Sequence, residues 1–396
     1  MPMHKFSKTT KLYLPIVLFI VGWWVIAFKA TPSLVEPVAS LPTKKNPIST
    51  PADNKLSKLE KTTLKQALAG DVALMTQLIV EWDIDAQFLQ SVPVTGTQRL
   101  SQAAFLRSQE IGRFLASSKK TTPSGSYLPQ TYAAASYLFA LVSPDEIVAI
   151  PEFIRNETEL YPKELTDQVP LNIDRYNSEK LFLRKPQIAF VAHYSDPMVV
   201  QALSNQGILL HTMRSPLTID DLTSELIAIG EIVNHPMEAE LLRIFIDAAF
   251  IALDNRLLLM ASNFLRYSES LPRILVINHH QSFHIPTLKT LTGQLLSRIP
   301  DWDISLDYVK KKAKEQEWTV PIDKENLLNL DPDHLIIIGR KGNDLEKKII
   351  NDPCLREIKA VKNRQFYFLD ETIQHSPSQY IVLAYYDIIH TLLWSR

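Results

Sequence analysis

The chain has 396 residues, 46% hydrophobic and 21% charged, which suits two or three globular domains, and its net charge of −1 lacks the basic excess that a nucleic-acid partner needs. The single cysteine, Cys354, excludes an internal disulfide and any cysteine-built zinc or iron–sulfur site. No GxGxxG, GxxxxGK(S/T) or GxSxG word occurs, so nucleotide-binding and α/β-hydrolase chemistry lose their sequence warrant and no enzyme is expected.

Lys5, Lys8 and Lys11 precede an apolar run from Leu12 to Phe28. Roughly 17 residues is the lower end of what spans a bilayer as a helix. Positive residues ahead of such a run hold the amino terminus in the cytoplasm and send the remainder across. The run exceeds the usual signal-peptide core of about 7–15 residues. No small-x-small cleavage site follows it directly, and no cysteine follows to carry a lipid. Residues 1–30 are therefore expected to form a retained single-pass anchor in the inner (cytoplasmic) membrane, with the main body in the periplasm. Residues 31–55, rich in Pro, Ser, Thr and Lys, cannot bury enough apolar surface to offset chain entropy and are expected to be a flexible tether. Across 56–110, Leu64, Leu68, Val72, Leu74, Met75 and Leu78 recur near helical spacing, and a second periodic stretch runs from Leu100 to Ile111. This segment is expected to be a small helical appendage.

From Ile111 onward, short β-rich runs alternate with helical stretches, the pattern of parallel sheets covered by helices. Arg113–Ser117 is expected to be a first strand, followed by a long polar loop to Tyr127. Further runs are Glu146–Ile150, Ile188–Ala192, Ile208–Thr212, Ile274–Asn278, Leu335–Ile338 and Gln365–Leu369. Between them a long helix is predicted from about Pro236 to Met260, with Pro236 in its first turn. Two segments flanking that helix share a word. In one, Glu179 and Leu181 precede Pro186 and an apolar run; in the other, Glu325 and Leu327 precede Pro332 and an apolar run. Each reads as a short helix, a proline stop and a buried strand. The expected fold is therefore α/β: two doubly wound lobes, 111–235 and 263–396, joined by a long helix over 236–262. The anchor and the appendage precede them.

The second copy of the word, with the later run from Ile358 to Asp370, resembles the carboxyl-terminal lobe of helical-backbone periplasmic binding proteins that serve ferric-siderophore, haem and cobalamin importers. Leu128 to Ile150 is similar to that family's opening helix and second strand, and Gln206 to Glu231 with the long helix is similar to its middle. The resemblance covers about residues 111–396. It implies a solute-binding protein that carries an iron chelate, haem or corrinoid to the permease of an ABC importer, with no intrinsic cofactor. It also implies that Glu179 and Glu325, one on each lobe, are the carboxylates presented to the permease. Absence of the usual lipid-bearing cysteine is a departure from the family.

Ligands of open α/β sheets bind beyond the carboxyl ends of the strands. His193 and Tyr194 follow a predicted strand of lobe 1. His279, His280, Phe283 and His284 follow the first strand of lobe 2. Arg340 (with Lys341) and His375 follow later strands, and Tyr127 stands at a loop-to-helix turn. These are the expected ligand-binding residues. Histidine and tyrosine suit coordination of iron in a chelate or haem, and arginine suits the oxygens of an anionic chelate. A bare zinc or manganese site is the alternative ligand set. A sensor or scaffold that keeps the binding fold on a membrane tether without transport is the alternative function.

Overall fold

A computed structural model of the chain describes residues 51–88, 100, 102–118, 125–156, 160–173, 178–268, 270–314, 317–340 and 343–393. The expected anchor (1–30) and most of the tether (31–50) lie outside the described residues. Among the described residues no helix is long and apolar enough to cross a membrane. The tether ends earlier than its composition suggests, because a helix begins at Pro51 and runs as Pro51–Leu68. Proline is well placed at a helix start, where its missing N–H is not needed.

Two more helices follow, Val72–Phe88 and Gln102–Ser117. The second absorbs Arg113–Ser117, so the expected first strand is the last turn of a helix. The opening strand is instead β1 (Tyr127–Pro129). Lobe 1 continues with β2 (Ala149–Pro151), β3 (Leu171–Ile173), β4 (Ile188–Ala192) and β5 (Leu209–Met213). β1 pairs in parallel with β4, β4 with β5, and β2 with β3. A parallel bridge from Tyr127 to Ile147, with Val148 N–H donating to Tyr127 O at 2.9 Å, joins the two sets into the order β3-β2-β1-β4-β5. Glu146, expected to open a strand, is the last residue of a single 3₁₀ turn, Pro144–Glu146.

Lobe 2 is built from β6 (Ile274–His279), β7 (Phe283–Pro286), β8 (Thr319–Pro321), β9 (His334–Gly339) and β10 (Phe366–Asp370), in the order β10-β9-β6-β7-β8. Its sheet is mixed. β6, β9 and β10 run parallel, but β7 turns back antiparallel through the hairpin at 280–282. The reason is local: three residues between β6 and β7 allow only a hairpin, since a parallel connection needs a dozen or more.

Both lobes repeat one unit. In lobe 1 a helix, Ser178–Leu183, connects β3 to β4; in lobe 2, Lys324–Leu330 connects β8 to β9. Each unit closes on a non-glycine residue with positive φ directly before proline, Lys185 (48°) and Asp331 (39°). The proline word in the sequence is thus a stop with the same backbone conformation in both copies.

The lobes are joined by the helix Pro236–Tyr267, 32 residues and about 48 Å long, longer than its apolar pattern predicts. Along the sheets, alternate residues enter different cores, as a period of two requires. Ile274, Val276, Ile336 and Ile338 face a core shared with the long helix, whereas Leu275, Ile277, Leu335 and Ile337 face a second core on the outside of lobe 2. Phe190 joins the shared core, and Ala189 and Val191 the outer core of lobe 1. The shared core also takes Leu64, Leu68, Met75, Ile79 and Ile111 from the amino-terminal helices. Trp82 stacks on Phe245 of the long helix with ring centroids 5.5 Å apart. The appendage is therefore part of the main body's packing. The last helix, Ile381–Leu393, returns to the same place, where Asp387 accepts from Lys61 Nζ at 2.6 Å.

Candidate functional site

In each lobe the strand ends are carried to one edge of the sheet, and helices start there. Thr131 follows β1 and caps the helix Tyr132–Leu141, its hydroxyl accepting from Ala134 N–H at 3.1 Å. Pro151 ends β2, and the short helix Glu152–Asn156 follows at once, with Phe153 exposed. These two turns set Tyr132 and Phe153 beside each other, stacked at 6.2 Å and nearly parallel at 8°. Together they form an aromatic shelf on lobe 1.

Lobe 2 supplies the polar wall. His280 follows β6, Arg340 follows β9, and Asp370 ends β10 and caps the one-turn helix Glu371–Gln374, accepting from Thr372 N–H at 2.9 Å. His375 follows that turn. Tyr132, Phe153, His280, Arg340, Glu371 and His375 line one open cleft of about 820 Å3. Glu371 is its centre. Its Oε1 accepts from Arg340 Nε at 2.6 Å, and its Oε2 lies 3.3 Å from His280 Nδ1. The His280 and His375 rings are 6.4 Å apart. The Glu371 carboxylate raises the Arg340 guanidinium above its ordinary range. Burial pushes the His375 imidazole below its ordinary range, although the residue as a whole is exposed; the Glu371 charge opposes this and the nearby His280 adds to it.

Of the residues expected here, His280, Arg340 and His375 meet in the cleft. Tyr127 does not. It is buried in the core of lobe 1, 4% exposed, with its ring against Phe190 and its hydroxyl donating to Val233 O at 3.3 Å. As the first residue of β1 it lies at the opposite end of the strand from the cleft. His193 and Tyr194 are exposed at the carboxyl end of β4, edge-to-face at 5.1 Å, and do not line the cleft. His279, Phe283 and His284 belong to the β6–β7 hairpin. His279 packs on Phe283 at 5.1 Å, burial lowering its imidazole pKa, and His284 pairs with Ser282 Oγ at 2.8 Å. Lys341 lies outside the described residues. Tyr132, Phe153 and Glu371 were not expected. The cap at Thr131 signals Tyr132, but Glu371 reads from sequence only as a carboxylate at a helix start.

Glu179 and Glu325 are exposed, each in the first turn of its connecting helix. Their helices leave the carboxyl ends of β3 and β8, the edge from which the cleft residues also arise. Among the described residues no group of three or more His, Cys, Asp or Glu side chains is arranged to hold a metal ion.

Two α/β lobes on a rigid helix, with a cleft at the facing strand ends, define a bilobal ligand-capture protein of the helical-backbone class. A sequence profile described as periplasmic binding protein matches residues 130–373, more than half of the chain, and the chain belongs to that family. Similar solved structures include a possible iron-binding (periplasmic solute-binding) protein from Staphylococcus epidermidis, at 17% identity over 68% of this chain and 99% of that one, TM-score 0.53. A periplasmic heme-binding protein from Roseiflexus matches at 15% identity over 69% and 100%, TM-score 0.52. A periplasmic binding protein from Veillonella parvula matches at 19% identity over 69% and 86%, TM-score 0.51. At these identities the likeness is one of fold. No curated protein matches the chain.

Proposed function

We propose that this protein captures an iron chelate, haem or a corrinoid between its lobes and delivers it to the permease of an ABC importer. The observation that carries the reading is the cleft of about 820 Å3, walled by a stacked aromatic pair on one lobe and by His280, Arg340, Glu371 and His375 on the other. Flat aromatic surface suits a macrocycle or the apolar periphery of a chelate, and the few convergent polar groups fix orientation. Glu179 and Glu325 are the proposed docking carboxylates, and their equivalent places in the repeated unit support a paired contact with two permease cations. The apolar run Leu12 to Phe28 is the proposed membrane anchor.

Absorbance of the purified full chain tests the ligand. A Soret band identifies haem, a visible charge-transfer band a ferric chelate, and a corrin spectrum cobalamin. A featureless spectrum, with no thermal shift from any of the three, overturns the reading. The helices Pro51–Leu68, Val72–Phe88 and Gln102–Ser117, which precede the family match, favour a second reading, a tethered sensor that binds the ligand without transporting it. Uptake of radiolabelled ligand, lost on deletion of the gene, decides for the importer.

A further inference from the structure

We infer that Glu371 is a counter-anion built into the cleft, which makes it select neutral or cationic ligands and reject anionic ones. This rests on the proposed function and narrows it. Arg340 is the cation an anionic ligand would seek, and its side chain is 91% exposed. It is already held, since its Nε donates to Glu371 Oε1 at 2.6 Å. Glu371 itself is only 15% exposed, and its Oε2 is buried and accepts no hydrogen bond among the described residues. A ligand carboxylate or catecholate on the remaining N–H groups of Arg340 would share that cation with Glu371 and sit beside its charge, and one that drew Arg340 away would leave a carboxylate whose other oxygen has only the neighbouring His280 ring at 3.3 Å. Removing one partner of a partly buried ion pair is unfavourable because the remaining charge is left without compensation.

The rest of the wall points the same way. Counting Arg, Lys, Asp and Glu alone, the charged groups among the described lining residues are Arg340, Asp370 and Glu371, one positive and two negative. An anion entering the cleft meets both carboxylates. A cationic or neutral ligand meets them favourably, because a carboxylate has about four lone-pair positions and Arg340 takes one of those on Glu371. The faces of Tyr132 and Phe153 also attract cations. Within the proposed ligands this favours hydroxamate chelates and corrinoids over polyanionic catecholate chelates and haem with its propionates.

The test uses the full-length protein with ferric desferrioxamine B, a cationic trihydroxamate, and a ferric tris-catecholate trianion. Wild type should bind the cation at least tenfold more tightly than the trianion, and Glu371→Gln should reduce that ratio at least tenfold. A wild-type preference for the trianion, or an unchanged ratio in the variant, overturns the inference. Inorganic sulfate supplies an arm that does not depend on the chelates. Glu371→Gln should gain a saturable thermal shift with sulfate that wild type and the Glu371→Gln/Arg340→Gln double variant lack; no gain overturns the inference. If neither chelate binds either protein, the chelate reading falls and the sulfate arm still decides the role of Glu371. Should Glu371→Gln not fold, Arg340→Gln alters an exposed side chain and serves in its place. It leaves Glu371 uncompensated and should raise the cation-to-trianion ratio, and a fall in that ratio overturns the inference.

Discussion

Arg298 enters the protein interior from lobe 2 and ends on the long helix. Its side chain is 9% exposed, its Nη2 lies 2.5 Å from Asp254 Oδ2, and its guanidinium covers the Phe250 ring at 4.7 Å. Tyr385 Oη donates to the same aspartate at 2.6 Å, so three elements meet on one buried charge. Arg298→Ala would leave Asp254 with its anion uncompensated. A loss of about 3 kcal/mol is expected, read from denaturant midpoints, with unchanged stability the contrary result. Asp247, about two turns earlier on the same helix, is pushed up to about 6 by burial, against the pull of Arg243, with Asp220 and Glu240 adding to the rise and Arg298 opposing it. Its folded pKa thus lies above its unfolded value of about 3.9. The folded state holds that proton more tightly, so this group favours folding increasingly as pH falls from about 7 through 6 toward 4. Asp247→Asn should remove that dependence, gaining on the order of 2 kcal/mol relative to wild type between pH 4.5 and 7.5 in denaturant titrations. The cleft was half legible at this scale. Strand ends point to His280, Arg340 and His375, but a strand of three residues at β1 carries no visible alternation, so the sequence does not tell Tyr127, at its start, from Tyr132 beyond its end. Glu371 depends on a partner 31 residues away, and no local pattern announces it.

The amino-terminal helices show how an element's role escapes its own sequence. Their periodicity predicts helices, and helices form, but the pattern does not say what their apolar faces meet. They meet the long helix through Trp82 on Phe245, and each other so closely that a Cβ at Gly112 would lie 2.5 Å from Thr76 Oγ1. Trp82→Ala should cost roughly 2–4 kcal/mol and lower a single unfolding transition. Two separate transitions would mean that these helices fold as an independent unit. Arg113–Ser117 fits a strand as well as a helix, because five residues with apolar positions at 114 and 115 suit either period, and only the continuous helix from Gln102 decides. Long, buried strands such as β4, β6 and β9 were legible within a residue at each end. The antiparallel β7 was not, because its hairpin turn carries neither glycine nor asparagine.

At the scale of the molecule, one core runs from the amino-terminal helices through lobe 1 and the long helix into lobe 2. Lobes packed on a common core resist wide hinging. Small-angle scattering of free and ligand-loaded protein should therefore differ little, and a marked compaction would contradict the shared core. Charge reversal at Glu179 or Glu325 should abolish uptake while leaving ligand affinity unchanged; a fall in affinity would remove both residues from the docking surface.

The bond between Lys61 and Asp387 spans 326 positions, and Gln379 Nε2 donates both to Leu68 O at 3.2 Å and to Ser136 O at 2.7 Å. A chain made from its amino end therefore presents its first helices long before their partners exist. Those helices pack on the long helix and on each other as well as on Ile381–Leu393, and the contacts most distant in sequence form slowly. Gln379 and Asp387 thus hold the amino-terminal helices across more than 300 positions, and a chain cut before Gln379 would lack both contacts.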